Sequence, residues 1–167
     1  ILYTDTTASL GGNTFEMDAW GIHVVTAGLQ KCLAGPSGSA PISIAPAAVE
    51  IINSRKSIEA GIRSEGDAVS ATPIRSNYFD LSQILDYWGP KRLNHHTEAT
   101  SMLNAARECA RLLVEEGMDD AVERHRLHGT AMVEGLKAMG LELFGDQSVR
   151  MNNVVGVHIP DGIDGDG

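Results

Sequence analysis

The stretch "HVVTAGLQKCLAGPSGS", residues 23–39, contains a strand signal, a single lysine and a loop in close succession. Residues 23–27 predict a strand, because 24–26 are Val-Val-Thr, all β-branched. The Gly-, Pro- and Ser-rich tail at 34–39 is typical of a loop. Lys31 lies between the two. A lysine at a strand end is most often a solvated surface charge, but an unprotonated lysine amine is also a nucleophile for carbonyl carbons.

Two further strands are predicted on either side of this stretch. Residues 1–4 form an apolar run that stops at Asp5, which is typical of a buried strand in a parallel sheet. The segment "APISIA", residues 40–45, predicts a third short strand. Pro46 suits the first position of a helix over 47–53, because proline needs no backbone N–H partner there.

The second half of the chain is mainly helical in pattern. Residues 54–76 show little apolar periodicity and predict a long exposed excursion, of a kind that carries function or packs on a partner. A short helix is predicted over 80–87. Apolar residues at helical spacing predict a longer helix over 99–116, with Gly117 as its natural end.

The last predicted helix is capped by Asp119 or Asp120 and runs to residue 139. Its predicted apolar face consists of Val122, Met132, Leu136 and Met139. Residues 152–160 then predict a strand. Strands alternating with helices indicate an α/β protein, with one domain over 1–117 and the start of a second over 118–167.

Composition excludes several classes of protein. The net charge of −9 argues against nucleic-acid binding, which needs a basic face. No apolar run of about 18 residues is present, so we expect no membrane span. Cys32 and Cys109 are far apart and form no CxxC pair, which favours a reducing, cytoplasmic setting. The chain starts without Met and ends at "DGIDGDG", so we expect an internal fragment of a longer protein.

Asp5 and Lys31 together suggest a specific chemistry. Asp5 ends a strand, and ligands of open α/β sheets bind at the carboxyl ends of strands. Each residue alone has an ordinary interpretation, Asp5 as a loop residue and Lys31 as a surface charge. A lysine and a carboxylate at two strand ends are nevertheless what a pyridoxal phosphate site requires, because the lysine forms the Schiff base and the carboxylate keeps the pyridine nitrogen protonated.

Four segments carry a family resemblance. "YTDTTASLGG" followed by "GLQK", and then "NYFDLSQILDYWG" and "LNHHTEATSMLNAARE", resemble the class V pyridoxal phosphate aminotransferases along essentially the whole chain. The ureidoglycine–glyoxylate enzymes of purine breakdown are the most similar branch, and the alanine– and serine–glyoxylate enzymes are near relatives. The resemblance implies fold type I, with part of the large mixed-sheet domain and the start of the small C-terminal α/β domain.

The resemblance also implies roles in cofactor binding. Lys31 would carry the cofactor and act as general base and then acid during transamination. Asp5 would pair with the pyridinium nitrogen, Thr7 would pack on one face of the ring, and Gln30 would hydrogen-bond the phosphate. Thr97 would reach the phosphate of the neighbouring subunit's cofactor, because the enzymes of this family build their sites across a homodimer interface.

The same resemblance implies a substrate. Asn94 stands where alanine–glyoxylate enzymes usually carry Tyr, and its amide suits the ureido group of (S)-ureidoglycine. The amino group would pass to glyoxylate, giving oxalurate and glycine. An alanine– or serine–glyoxylate aminotransferase and a truncated, non-catalytic piece remain as alternatives. "TDTTAS" departs from the family's usual apolar residues, and the main phosphate loop and the substrate-binding Arg would lie outside this chain.

The remaining histidines and Cys32 receive ordinary interpretations. Zinc needs three or four converging ligands, while His95 and His96 are adjacent and their side chains are expected to point apart. "HRLH", residues 125–128, predicts a packed or surface helix. We therefore expect no metal site, and we interpret Cys32 as a small buried residue.

Overall fold

The computed structural model describes residues 1–57, 65–66, 70–90 and 92–165. The contacts divide the chain into two compact units. Unit 1 comprises Ile1–Thr4, Asp18–Val25 and Ser43–Glu98, and unit 2 comprises Asp5–Met17, Thr26–Ile42 and Ala99–Gly167. Much of the predicted excursion at 54–76 lies outside the described residues. The domain boundary near residue 117 stays a prediction for the longer protein.

Three short strands form one sheet in the order β1-β2-β3. They are β1 (Tyr3–Asp5), β2 (Val24–Thr26) and β3 (Ile42–Ile44), so all three predicted strands are confirmed. Burial of β1 was predicted wrongly, because Tyr3 is 55% exposed. A sheet of three strands, each three residues long, leaves one face of its first strand open to solvent.

The backbone hydrogen bonds show that the sheet is mixed. Between β1 and β2 the paired residue numbers rise together, which is the parallel pattern: His23 and Val24 N–H donate to Leu2, and Thr6 N–H donates to Thr26. Between β2 and β3 one number rises as the other falls, which is the antiparallel pattern: Ala27 N–H donates to Pro41, and Ala45 N–H donates to His23.

Unit 1 contains two helices that pack on each other, α1 (Pro46–Ser54) and α2 (Leu81–Trp88). Pro46 occupies the start of α1, as predicted. Asp80 caps α2, because its carboxylate accepts the Ser82 N–H at 2.8 Å and the Ser82 hydroxyl at 2.6 Å. Both side chains of this cap are buried, and the hydrogen bonds satisfy a carboxylate that would otherwise be costly to bury.

Unit 2 contains α3 (Thr100–Glu116) and α4 (Met118–Ala138), which also pack on each other. Gly117 joins them with φ +92°, a conformation that favours glycine, and its N–H donates to the Leu113 carbonyl at 3.0 Å. The prediction that Asp119 or Asp120 caps α4 is wrong. Gly117 is itself the N-cap, and both aspartates lie in the first turn, where their charge still complements the helix dipole.

The buried stripe of α4 also differs from the predicted one. Its buried residues are Ala121, Gly129 and Val133, whereas Met132 is 58% exposed. A count of large apolar residues overlooks this stripe, because two of its members are small. Small residues let the helix approach neighbouring backbone closely, and at Gly129 that neighbour is residue 152.

The strand predicted over 152–160 does not form. A short 3-10 helix spans Gln147–Val149, and a single antiparallel bridge then joins Leu143 to Val157. Pairing stops there because the Asn152 backbone N–H and the side-chain amides of Asn152 and Asn153 donate hydrogen bonds to the 8–13 loop instead. Within the described part of the chain, no helix combines the length and apolar character needed to cross a membrane.

Candidate active site

Asp5 lies at the end of β1, on the exposed side of a short anchored segment. Its Oδ1 accepts the Thr7 N–H at 2.7 Å. Hydrogen bonds from the hydroxyl and the backbone N–H of Thr7 lower the pKa of the Asp5 carboxyl below its usual value, so Asp5 is ionised at neutral pH. Thr6 between them is buried, and its N–H and hydroxyl donate to the Thr26 carbonyl at 2.7 and 2.9 Å. This anchor holds Asp5 and Thr7 at the end of β2.

Lys31 lies on a tight turn formed by residues 29–35, which we call the lysine turn. Leu29 is 1% exposed and anchors the turn, and its carbonyl accepts the Gly35 N–H at 2.7 Å. The Lys31 carbonyl accepts the Ala34 N–H at 2.9 Å, and Ala34 has φ +57°, which is uncommon for a residue with a side chain. The turn leaves Gln30 and Lys31 exposed.

Gly28 brings Thr7 and Gln30 together. A Cβ at this glycine would lie 2.6 Å from Gln30 Oε1 and 2.8 Å from Thr7 Cγ2, so both side chains crowd one bare backbone position. The absence of a Cβ therefore determines how closely they approach. Gly28 was not singled out from the sequence, although a glycine directly after a strand is a signal for close backbone approach.

Cys32 connects the lysine turn to the loop that follows Asp5. Its thiol lies 3.5 Å from the Ala8 carbonyl and would be 2.6 Å from a Cβ at Gly12. Burial raises the pKa of the Cys32 thiol, which agrees with its interpretation as a small packed residue. The segment from Asp5, at the end of β1, to Thr7 and the lysine turn with Gln30 and Lys31 thus pack together inside unit 2.

A cleft of about 420 Å³ lies beside the lysine turn in the same unit. Its walls include Lys31, Cys32, His125, His128, Asn152 and Asn153. His125 Nδ1 lies 2.8 Å from the Ala121 carbonyl, and since a carbonyl only accepts, Nδ1 carries the proton. The histidines of "HRLH" therefore lie on a helix that packs beside the lysine turn.

Three asparagines, Asn13, Asn152 and Asn153, tie the C-terminal segment to the loop after Asp5. We call them the asparagine cluster. Asn13 donates to Asn153 Oδ1 at 2.7 Å and accepts the Asn152 N–H at 2.8 Å. The Asn152 and Asn153 amides donate to the Gly12 and Ala8 carbonyls at 3.0 and 2.6 Å. An amide side chain suits this role, because it can both donate and accept without carrying a charge.

Asn94 and Thr97 belong to unit 1, and both are exposed. Between them, His95 and His96 do not point apart as expected, because their Nδ1 atoms lie 2.9 Å from each other. The described residues contain no group of three or more His, Cys, Asp or Glu side chains arranged for a metal ion.

Comparison with known proteins shows that the chain is similar to aminotransferases. No family model matches it. It is 49% identical over 169 residues to the (S)-ureidoglycine–glyoxylate transaminase of Bacillus subtilis (strain 168), an alignment that covers 99% of this chain and 41% of that protein. The chain thus spans about two fifths of the length of this relative.

Solved structures give the same result. The crystal structure of ureidoglycine–glyoxylate aminotransferase from Bacillus subtilis matches with a TM-score of 0.86 at 48% identity, covering 98% of this chain and 38% of that one. Alanine–glyoxylate aminotransferase from Nostoc sp. matches with a TM-score of 0.85 at 30% identity, covering 99% and 40%. In sequence and in structure, the chain is similar over nearly its whole length to about two fifths of these aminotransferases, and it shares their fold, which is fold type I.

Proposed function

We propose that the protein containing this chain is a pyridoxal phosphate-dependent transaminase that moves an amino group from (S)-ureidoglycine to glyoxylate, giving oxalurate and glycine. The observation that carries the proposal is an ionised, exposed Asp5 carboxylate packed in one unit with an exposed Lys31. The choice of substrate rests on the 49% identity to the Bacillus relative. Purine and allantoin breakdown is the corresponding metabolic setting.

The residues present fit the cofactor. An ionised carboxylate such as Asp5 can pair with a protonated pyridine nitrogen. Thr7 would contact the ring and Gln30 would bind the phosphate, and the bare Gly28 is what allows these two side chains to lie close together. When bound, pyridoxal phosphate supplies an electron sink for a carbanion next to the amino group.

The chain's own chemistry would centre on Lys31. Its Nζ would hold the cofactor and, once the substrate's amine has displaced it, would accept the proton from the substrate's α-carbon and later return a proton, acting as base and then as acid. The lysine turn supports this role, because its backbone hydrogen bonds and buried Leu29 fix the Cα of Lys31 while the side chain stays exposed.

The Asn94 and Thr97 roles belong to a homodimer in this proposal. Thr97 would hydrogen-bond the phosphate of the cofactor held by the partner subunit. Asn94 would hold the ureido group, to which its amide can both donate and accept. A reducing cytoplasm is the proposed location, where free thiols such as Cys32 and Cys109 persist.

The decisive experiment compares Lys31→Ala with Lys137→Ala in the full-length protein. The unmodified protein should show the absorption band of a protein-bound Schiff base after addition of pyridoxal phosphate. Lys31→Ala should abolish the band and the activity. Lys137 is an exposed lysine paired with Glu134 on α4, so its loss should leave the band unchanged. A full-length protein that stays colourless with added cofactor contradicts the proposal.

Donor preference is tested at Asn94. Asn94→Tyr should lower kcat/KM with ureidoglycine far more than with alanine, because a site built around an amide discriminates against groups that cannot match its hydrogen bonds. Equal losses with both donors would remove Asn94 from the substrate site. The similarity to the Nostoc enzyme favours alanine–glyoxylate transamination as the second candidate, and parallel donor assays separate the two.

A further inference from the structure

The side chain of Arg150 turns back onto the backbone of the residues that follow it. Its Nη1 donates to the Met151 carbonyl at 2.7 Å and reaches the Asn152 and Val154 carbonyls at 3.3 and 3.5 Å. These carbonyls lie where a strand was predicted and a single bridge forms instead. A side chain therefore pairs with backbone acceptors that otherwise need a neighbouring strand or water. We call these three contacts the arginine clamp.

The clamp joins a charged side chain to neutral partners. Arg111 and Arg124, on the two helices of unit 2, pair with glutamates, whereas the hydrogen bonds of Arg150 to the described residues go to backbone carbonyls. A guanidinium stays charged at every pH at which a protein is folded, so the clamp does not depend on a titration. Partners of this kind indicate that Arg150 shapes the backbone.

Gly129 of α4 leaves room for the clamp. A Cβ at this glycine would lie 3.2 Å from Arg150 Nη1 and 1.9 Å from the Asn152 carbonyl oxygen. Gly129 is buried and Arg150 is half-buried. The guanidinium nitrogen is thus enclosed between the helix on one side and the carbonyls that it binds on the other.

The clamped segment meets both loops of the candidate site. Asn153 donates to the Ala8 carbonyl at 2.6 Å, and that carbonyl also lies 3.5 Å from the Cys32 thiol of the lysine turn. Ala8 follows Asp5 closely in sequence. Asn153 also lines the cleft beside Lys31. The clamped segment, the loop after Asp5 and the lysine turn therefore converge at one carbonyl oxygen.

We propose that Arg150 is a positioning residue for the site around Lys31. By gathering the backbone at 151–154, it directs Asn153 towards the loop that follows Asp5, and so sets the separation of that loop from the lysine turn. The effect on catalysis rests on the proposed function, which gives Asp5 and Lys31 their roles. The contacts of the clamp do not rest on it.

Hydrogen exchange in the full-length protein without cofactor tests the clamp itself. Arg150→Met keeps an unbranched apolar stem and removes every donor. The Asn152 N–H donates to Asn13 Oδ1, and the Asn13 N–H donates to the Ser9 carbonyl. We expect both amides to exchange about tenfold faster or more in the variant, because hydrogen bonds from a charged donor are among the stronger ones. The amides of α1, in unit 1, should change far less.

Two results of this experiment would overturn the proposal. One is unchanged exchange at the two asparagine amides, and the other is an equal rise in both units, which would mean a general loss of stability. If Arg150→Met fails to fold, Arg150→Lys takes its place with the same expectations. Its ammonium ends one bond shorter and cannot reach all three carbonyls.

Arg126→Met is the matched control. Arg126 is an exposed arginine of α4 whose partner is Glu123, so the variant removes the same charge from the same unit. It should leave the exchange of both asparagine amides unchanged. Faster exchange at these amides in Arg126→Met would trace the effect to net charge and would overturn the role of the clamp.

Catalysis by the full-length enzyme with pyridoxal phosphate supplies the second readout. Arg150→Met should lower kcat by roughly 10- to 100-fold, because small displacements of reacting groups are costly. KM for glyoxylate should change far less, since no contact with the substrate is removed. Adding Arg150→Met to Asn153→Ala should lower kcat little further, because the clamp acts through Asn153. Losses that multiply, or a raised KM at unchanged kcat, would overturn the positioning role.

The two readouts separate this proposal from the proposed function. An unchanged kcat in an Arg150→Met protein that still forms the Schiff base band would overturn the positioning role and leave the proposed function intact. An unmodified protein that stays colourless would contradict the proposed function, and hydrogen exchange without cofactor would still decide whether the clamp holds the loop.

Discussion

Single residues set the charge of the candidate site. Asp5 owes its lowered pKa first to the Thr7 hydroxyl and then to the Thr7 N–H. Thr7→Val removes the hydroxyl and keeps the shape and the backbone N–H. We expect the pKa of Asp5 to rise towards its ordinary value in this variant, as measured by carbon-13 NMR titration of the carboxyl group.

Asp146 provides the internal control for that titration. Its pKa is lowered by the hydroxyl and the N–H of Ser148 in the same way, so Ser148→Ala should raise the pKa of Asp146 and leave Asp5 unchanged. A carboxylate with a lowered pKa stabilises the fold above its unfolded pKa, and that contribution is lost as the pH falls through the folded pKa. In Thr7→Val, the part of the folding stability that is lost on acidification because of Asp5 should therefore be smaller. An unchanged Asp5 titration contradicts the assigned cause.

At this scale the sequence predicted the positions of the candidate residues along the chain better than their fine geometry, and their chemical roles stay predictions. Asp5 could be placed at the end of β1, and Lys31 shortly after β2, because strand signals are local. Gly28 could not be recognised, since its importance comes from Thr7 and Gln30 approaching one backbone position. The inward approach of His95 and His96 was missed for the same reason, because it depends on Asn77 and Glu98 as well as on their adjacency.

At the scale of elements, two glycines of α4 should respond oppositely to the same substitution. A Cβ at Gly129 would lie 1.9 Å from the Asn152 carbonyl oxygen, whereas nothing lies within 4 Å of one at Gly135. Gly129→Ala must push backbone apart, so we expect a loss of roughly 1–3 kcal/mol or more in the free energy of unfolding. Gly135→Ala should gain up to about 1 kcal/mol from helix propensity.

Urea denaturation of both variants measures this difference, with the unmodified protein as reference. Both substitutions add the same methyl group to the same helix, so helix propensity alone would make both stabilising. Equal changes in the free energy of unfolding of the two variants would show that Gly129 of α4 is not in close contact with residue 152.

The elements were predicted well where their signals are local and poorly where tertiary contacts decide. Pro46 and Asp80 lie at the starts of α1 and α2 because capping depends on nearby backbone. The N-cap of α4 was misplaced because Gly117, with its positive φ, turns the chain directly from α3 into α4. The strand predicted over 152–160 shrinks to one bridge because side chains at 152 and 153 bind the 8–13 loop instead.

At the scale of the whole molecule, compact units are assembled from segments far apart in sequence. Unit 2 combines residues 5–17, 26–42 and 99–167, and Asn13 bonds across 139 and 140 positions of sequence. No local sequence pattern predicts such a contact, because an isolated asparagine most often indicates a turn or a surface position. The sequence therefore predicted the α/β class and the order of the elements, but not this connection.

The asparagine cluster gives a test of that connection. Asn13→Ala removes one donor and one acceptor, leaving the Asn152 N–H and Asn153 Oδ1 unpaired in a half-buried setting. We expect a loss of about 1–3 kcal/mol in the free energy of unfolding. Asn104→Ala, on the exposed side of α3, should be neutral or slightly stabilising, because alanine is the better helix former.

A double-mutant cycle measures the interaction between Asn13 and Asn153 apart from what each residue contributes by itself. Asn153→Ala should also destabilise, because its amide bonds both Asn13 and Ala8. If the two asparagines hold each other, the double variant should lose less than the sum of the single losses, with a coupling of roughly 0.5–3 kcal/mol. Strictly additive losses, measured by urea denaturation, would mean that each asparagine stabilises only its own loop. In that case the C-terminal segment would owe its place beside the Asp5 loop to Gly129 and α4.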